Sequence, residues 1–319
     1  TYDDAKSYFR PSLTDLHDPY LMKDMEIAVT RIEAALQENE QILVYGDYDV
    51  DGTTAVSLMA TYLKNRKASV ATYIPDRYTE GYGVSYEGID FAHDNNFKLI
   101  IALDCGVKAV EKIEYAKKKG IDFIVCDHHR PGTDRPPAVA ILDPKRDDCS
   151  YPYDELCGCG IGFKLIEALA ARQGQSREQL LPYLDLVATA IAADIVPMTG
   201  ENRVLAHYGL KQINSNPRMG IKALIKGLNK PSLSITDVVF VIAPRVNAAG
   251  RIKHGSYAVE LLCSENQKDA DAMASAIEDH NQKRKELDRK ITEEALIQIS
   301  ENQEEQKHTS VVYDPHWHK

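Results

Sequence analysis

The 319 residues are 44% hydrophobic and 27% charged, the profile of a folded chain with a large core and more than one structural unit. A formal net charge of −10 argues against broad, sequence-independent attraction to nucleic acid, leaving a local basic patch or bound metals as the means of holding phosphates. No apolar run approaches bilayer length and no basic, apolar leader opens at Thr1, so the expectation is a cytoplasmic protein, trimmed at its start and without a membrane anchor.

The first apolar run, "QILVYG", leads into "YGDYDVDG", which sets Asp47, Asp49 and Asp51 at alternate positions. Side chains two apart on an extended segment share a face, so these carboxylates repel one another unless a positive charge sits between them. A metal ion is one candidate, and a solvated acidic turn is the plain alternative. A calcium loop is excluded: it needs a Glu six residues after Gly52, where Leu58 stands, and "TTAVSLMATYLKNR" reads as a helix.

Beyond that helix come "ASVATYI", a helix near 86–95, "FKLIIALD", a helix near 107–119, and "IDFIVCD". This alternation predicts an α/β fold, a parallel sheet flanked by helices, and ligands in such sheets bind at the carboxyl ends of the strands. The first run ends in Asp47, Asp49 and Asp51, the third in Asp104, and the fourth in Asp127, His128 and His129. Parallel strands would gather all of these groups on one edge.

Six cysteines lack paired C-x-x-C spacing, so reduced thiols are expected, with Cys157 and Cys159 of "CGCGIG" structural. The second half is helical by pattern: "IGFKLIEALAAR", "REQLLPYLDLVATAIAADIV", "ENRVLAHYGLKQI" and "IKALIKGL". Asp194 interrupts an apolar run, and two readings stay open, a buried carboxylate with a partner or a solvated helix end before Pro197. From Ser264 to Gln306 the chain is polar and free of Gly and Pro, with apolar residues spaced for a long amphipathic connector helix. The β-like "TSVVYDPHWHK" that follows reads as the opening strand of a further domain, and its His316 and His318 lack other ligands.

Taken together, "GDYDVDG", "ALDCGV", "CDHH" and "AIAADIVP" resemble the four successive motifs of the DHH phosphoesterase superfamily. "RPSLTDLHDPYLMKDMEIAVTRI", "PDRYTEGYG", "ADIVPMTGENR" and "APRVNAAGRI" extend the resemblance, over nearly the whole chain, to its RecJ family of bacterial single-strand exonucleases. A lone DHH tripeptide is a weak signal, whereas ordered motifs on successive strand ends followed by "RVNAAGR" are specific.

The resemblance implies a catalytic DHH domain over 1–263, a connector over 264–308, and the start of a second domain over 309–319. It implies two manganese or magnesium ions, which a mixed Asp and His donor set suits, spaced at roughly 3.5–4 Å. The implied ligands are Asp49, Asp51, Asp104, His128 and Asp194, with Asp104 bridging both ions. Many superfamily members carry a histidine where this chain has Tyr45, and Asp47 is then the replacement ligand. Asp127 is expected to orient the ring of His128 from behind. His129 is expected to donate a hydrogen bond or proton to the phosphate, with a packed structural histidine as the alternative. Arg245, Asn247 and Arg251 are expected to bind phosphate, with a carboxylate pair as the alternative for one arginine.

The implied activity is hydrolysis of single-stranded DNA from its 5′ end, releasing 5′-mononucleotides in repair and recombination. The implied partners are single-stranded DNA, a single-strand-binding protein and a repair helicase, with the chain a monomer. Two rivals remain: a DHH phosphodiesterase acting on short oligonucleotides or cyclic dinucleotides, and an inactive replication scaffold, which would be expected to lose metal ligands.

Overall fold

The computed structural model describes residues 2–252, 254–304 and 307–317, with backbone alone at residues 2–4, 7, 251 and 252. Five strands, β1 Ile42–Gly46, β2 Val70–Tyr73, β3 Leu99–Leu103, β4 Asp122–Cys126 and β5 Ala140–Leu142, form one parallel sheet in the order β2-β1-β3-β4-β5. The chain reverses its winding between β1 and β3, and the crevice outside the strand ends at such a reversal is where open α/β sheets bind ligands. "ILVYG" and "LIIAL" are buried at every position, as strands covered on both faces must be. Alternate side chains feed two cores: Ile42, Val44, Ile101 and Leu103 on one face, Leu43, Tyr45, Ile100 and Ala102 on the other.

The helices in the first half are α1 Tyr2–Phe9, α2 Met25–Gln37, α3 Val50–Asn65, α4 Tyr86–Asp94 and α5 Val110–Lys118. They are followed by α6 Gly158–Arg172, α7 Leu184–Asp194, α8 Gly200–Ser215, α9 Met219–Ile225 and α10 Ile235–Asp237. A π-helical turn, Val238–Ile242, joins α10 to α11 Ala243–Ile252, and α12 Gly255–Leu262 and α13 Gln267–Glu301 complete the fold. Helices α4 and α5 cover the smaller core, while α2, α3 and α6 cover the larger one. Because α3 is wedged between the sheet and α6 and α7, it is buried almost all round, and its hydroxyls bond to its own backbone. Thr53 Oγ1 donates to the Asp49 carbonyl and Thr54 Oγ1 to the Val50 carbonyl, both at 2.6 Å.

Lys164 of α6 is fully buried, a position that demands counter-charge. Its Nζ meets Glu167 Oε2 at 2.6 Å, Glu201 Oε1 at 3.1 Å and the His17 carbonyl at 2.8 Å, tying the N-terminal segment to α6 and α8.

Long helix α13 has 35 residues, of which Ala270, Ala274, Ile277 and Asn281 are buried, so its first half packs on α9, α11 and α12. Its remaining turns carry charges paired along the surface, such as Arg284 with Asp288 at 2.7 Å. Residues 309–317 form no strand, which corrects the β-like reading of that stretch. A strand needs a neighbouring ladder for its N–H and C=O groups, and none of the five strands pairs with this stretch; its contact with α13 is through a side chain, Trp317 Nε1 donating to Glu294 Oε2 at 2.8 Å. The short β5 went unread in the sequence because its three residues carry no periodicity. Among the described residues no helix is long and apolar enough to cross a membrane.

Candidate metal centre

The loop after β1 supplies the first carboxylates. Asp49 caps α3, its Oδ1 accepting from the Gly52 N–H at 2.9 Å. A side chain at Gly52 would collide with the Asp47 backbone, so the tight turn needs glycine there. Asp51, one residue into α3, reaches across to the start of α6, where its oxygens accept from the Gly158 N–H at 2.6 Å and the Cys159 N–H at 2.8 Å. A carboxylate at a helix N-terminus meets unpaired N–H groups and the positive end of the helix dipole. "CGCGIG" is therefore the seat of Asp51, and its cysteines are buried and free, as expected of structural thiols.

Asp104 ends β3. Its N–H still joins the ladder, donating to the Cys126 carbonyl at 2.8 Å, and then the backbone turns left-handed at φ 59°. Aspartate tolerates that conformation better than most residues. A methyl group on Gly158 would lie 2.6 Å from Asp104 Cβ, so glycine is what lets α6 approach.

His128 follows β4 and meets the carboxylates from three other elements. Its Nε2 stands 3.2 Å from Asp104 Oδ1, 3.6 Å from Asp194 Oδ2 and 3.9 Å from Asp51 Oδ2. Asp194, the last residue of α7, combines its two sequence readings: it is a partly exposed helix end whose carboxylate nevertheless turns to His128 at the sheet edge. One ligand atom from each of Asp51, His128 and Asp194 lies within 4.8 Å of the others, and the same holds for Asp104, His128 and His129.

The electrostatics call for a cation. Burial, then the charges of Asp194 and Asp49, raises the Asp51 carboxyl; burial, then Asp51, does the same for Asp104. Burial and then Asp49 push Asp47 up to about 7 and Asp194 up to about 6. Burial and then His129 depress His128 to about 4, which leaves a neutral imidazole at neutral pH. Asp47 Oδ2 and Asp104 Oδ1 are buried without a hydrogen-bond partner among the described residues. Convergent carboxylates, a neutral imidazole and unpartnered oxygens fit a divalent metal.

Two sequence expectations need correction. Asp127 does not hold the ring of His128: its Oδ1 accepts from Nδ1 of His129 at 2.7 Å and touches His128 only through the backbone N–H, at 2.8 Å. Its Oδ2 is taken by the Val107 N–H at 2.9 Å, and the geometry of this tight turn favours the second histidine. His128 Nδ1 has no partner among the described residues. Arg245 faces α13, where its Nε pairs with Glu278 Oε2 at 2.5 Å, so the carboxylate alternative holds for this arginine. The side chain of Arg251 and the residue His318 lie outside the described residues. Asn247 lines a cleft beside the metal edge.

Tyr45 points into the smaller core and stacks on Tyr73 at 5.3 Å. Its hydroxyl donates to the Gly83 carbonyl at 2.9 Å, while the Gly83 N–H approaches Asp47 Oδ1 at 3.5 Å.

Sequence reasoning assigned no role to the residues of "PDRYTEGYG". Asp76 and Glu80 brace this loop by accepting from its own N–H groups and the Thr79 hydroxyl, and Gly81 and Gly83 turn it with φ of 83° and 81°. It holds the Arg77 guanidinium 4.3 Å from the Tyr48 ring centroid and Tyr82 OH 3.2 Å from His129 Nε2. The turn chemistry of Asp76 and the paired glycines was the available signal.

Residues 41–191 match the model of the DHH family, N-terminal domain. The chain is 39% identical over 303 residues to the single-stranded-DNA-specific exonuclease RecJ of Bacillus subtilis, covering 94% of this chain and 38% of that protein. It is 36% identical over 315 residues to the RecJ of Escherichia coli, covering 93% and 54%. The chain thus spans roughly half the length, or less, of these curated relatives. A crystal structure of exonuclease RecJ bound to manganese superposes with a TM-score of 0.81 at 31% identity, covering 90% of this chain and 72% of that one. On motif order, fold and these likenesses, the chain belongs to the RecJ-like branch of the DHH family.

Proposed function

We propose that the chain is the catalytic part of a metal-dependent exonuclease that hydrolyses single-stranded DNA from the 5′ end and releases 5′-mononucleotides in repair and recombination. The carrying observation is the edge where Asp51, Asp104, His128 and Asp194 converge, with Asp104 Oδ1 buried and without a hydrogen-bond partner among the described residues. Manganese or magnesium, as two ions, would supply electrophilic stabilisation of the phosphoryl group and a nucleophile at neutral pH. Asp49, Asp51, Asp104, His128 and Asp194 would hold the ions, with Asp104 as the ligand they would share and Asp47 completing the set.

His129 acts on the phosphate. Its hydrogen bond to Asp127 raises its pKa, against the opposing effect of burial, and fixes the proton on Nδ1. Nε2 is then aimed toward Tyr82 and the open edge; in the imidazolium, which the pairing with Asp127 favours, its second proton is placed to pass to a phosphate oxygen. Arg251 and Asn247 serve substrate rather than metal. The working division is a catalytic domain over 1–263, a connector over 264–308 and the start of a further domain over 309–319. The setting is a cytoplasmic monomer acting with a single-strand-binding protein and a repair helicase.

Manganese-dependent digestion of 5′- and 3′-labelled single strands tests the proposal. Early release of the 5′ label as a mononucleotide is expected. Early release of the 3′ label refutes the polarity, and turnover confined to dinucleotides supports the short-substrate phosphodiesterase instead.

A further inference from the structure

Between α7, α11 and α13 lies a cleft of ≈ 350 Å³ with mainly apolar walls, among them Val50, Ile195, Val239 and Pro244, interrupted by Asn247 and Arg284. Its position ties it to the metal edge, since Val50 separates Asp49 from Asp51 and Ile195 follows Asp194.

Three observations mark it as built for a ligand. Ile195 is 82% exposed and sits in the left-handed region at φ 56°. That conformation is unfavourable for a β-branched residue, and strain of this kind collects at functional sites. Asn247 Oδ1 is buried without a hydrogen-bond partner among the described residues, an acceptor left over in the wall of the cleft. Val239 comes from the π-helical turn, a local departure from α-helix often found at functional sites.

We propose that this cleft takes a nucleobase of the bound single strand, the base flanking the reacting phosphodiester. The inference rests on the single-strand reading above. A base offers apolar faces to Ile195 and Val239 and an amide-like edge to Asn247, whose donor and acceptor match such edges. Arg284, held on one side by Asp288, supplies positive charge at the wall nearer the connector helix. A paired base is stacked and has its edge occupied, so a pocket that needs both faces and edge admits unpaired strands alone. The cleft therefore acts as a selector of single strands.

The test uses manganese-loaded protein and fluorescent oligonucleotides with hydrolysis-resistant phosphorothioate linkages. Each carries one abasic residue at the first, second or third position from the 5′ end. Anisotropy is expected to show about tenfold weaker binding for one abasic position, the loss of one apolar contact surface. In Ile195→Gly, intact and abasic strands are expected to bind alike. Glycine accepts the left-handed geometry, so this variant folds at least as stably as the parent. Asn247→Ala is expected to shrink the abasic penalty in the same way.

Equal binding of intact and abasic strands by the unmodified protein overturns the proposal, as does a penalty that survives undiminished in both variants. A concentration-dependent oligomer that Ile195→Gly dissociates identifies a second copy as the occupant and also overturns it. Base-dependent binding without manganese-dependent cleavage of ordinary strands removes the proposed activity while the cleft assignment stands. Failure to bind any strand removes both.

Discussion

Nδ1 of His129 donates to Oδ1 of Asp127 at 2.7 Å, and that carboxylate also accepts the backbone N–H of both histidines, at 2.8 and 3.1 Å. The second histidine of the motif, not the first, is therefore the one whose ring is oriented by Asp127. Although burial opposes it, the bond from His129 lowers the Asp127 carboxyl, and the same bond raises His129. Asp127→Asn removes the charge that does this. The expected results are a lower titration midpoint for His129 by nitrogen-detected NMR and a fall in hydrolysis on the order of 100-fold, as for loss of a general acid. For the metal-free protein, a raised histidine stabilises the fold fully below its unfolded pKa and loses that contribution as pH rises through the folded value. Asp127→Asn should abolish this component of the pH dependence, and an unchanged midpoint refutes the pairing.

Asp47, near 7, and Asp194, near 6, both lie above the ordinary 3.8 in the metal-free protein. Between the unfolded and folded values the folded state holds more protons, so stability falls as pH rises through that window. In chelator, Tm is expected to drop by about 5 °C or more between about pH 5 and about pH 8. Manganese should cancel the drop, because the cation takes the protons' place. A Tm that rises over this interval in chelator contradicts the electrostatic picture.

Asp104→Asn keeps a residue that tolerates the left-handed backbone and removes one buried charge. Hydrolysis should be lost, Tm in chelator should rise, and the increase in Tm on adding manganese should shrink. Near-normal turnover would remove Asp104 from its place between the ions.

Asp47→Ala tests whether Asp47 compensates for the inward-turned Tyr45. Calorimetric titration with manganese should show one of two binding steps weakened by about 10-fold or more. Two unchanged steps make Asp47 a brace for Gly83 and nothing more.

Gly158→Ala should cost about 1–3 kcal/mol, an overpacking penalty, because the new methyl meets Asp104 Cβ at 2.6 Å. Denaturant melts should register the loss, and metal affinity should fall with it. An equal substitution at Gly174, which has open space around it but a positive φ, should cost stability alone.

Residue order made the sheet and most of the site readable. Strand-length apolar runs ending in Asp47, Asp104 and Asp127, separated by helical stretches, leave little choice but a parallel sheet with its charges on one edge. What stayed hidden depended on side-chain direction. Nothing in "CDHH" distinguishes which histidine Asp127 grips, because that follows from a turn pinned by the Val107 N–H. Nothing in "RVNAAGR" reveals that Arg245 meets Glu278, a partner 33 residues away on another helix. Arg77 and Tyr82 were missed because they reach the site from a loop outside the strand-end motifs, whose carboxylates Asp76 and Glu80 are turned inward to brace the loop itself.

The grip of Asp51 on Gly158 and Cys159 gives the helical layer a reporting role. Any cation that draws on the Asp51 oxygens competes with, or stiffens, two amide hydrogen bonds at the start of α6. The exchange rates of those two protons with deuterated solvent thus become an internal gauge of occupancy, readable without substrate, turnover or a label.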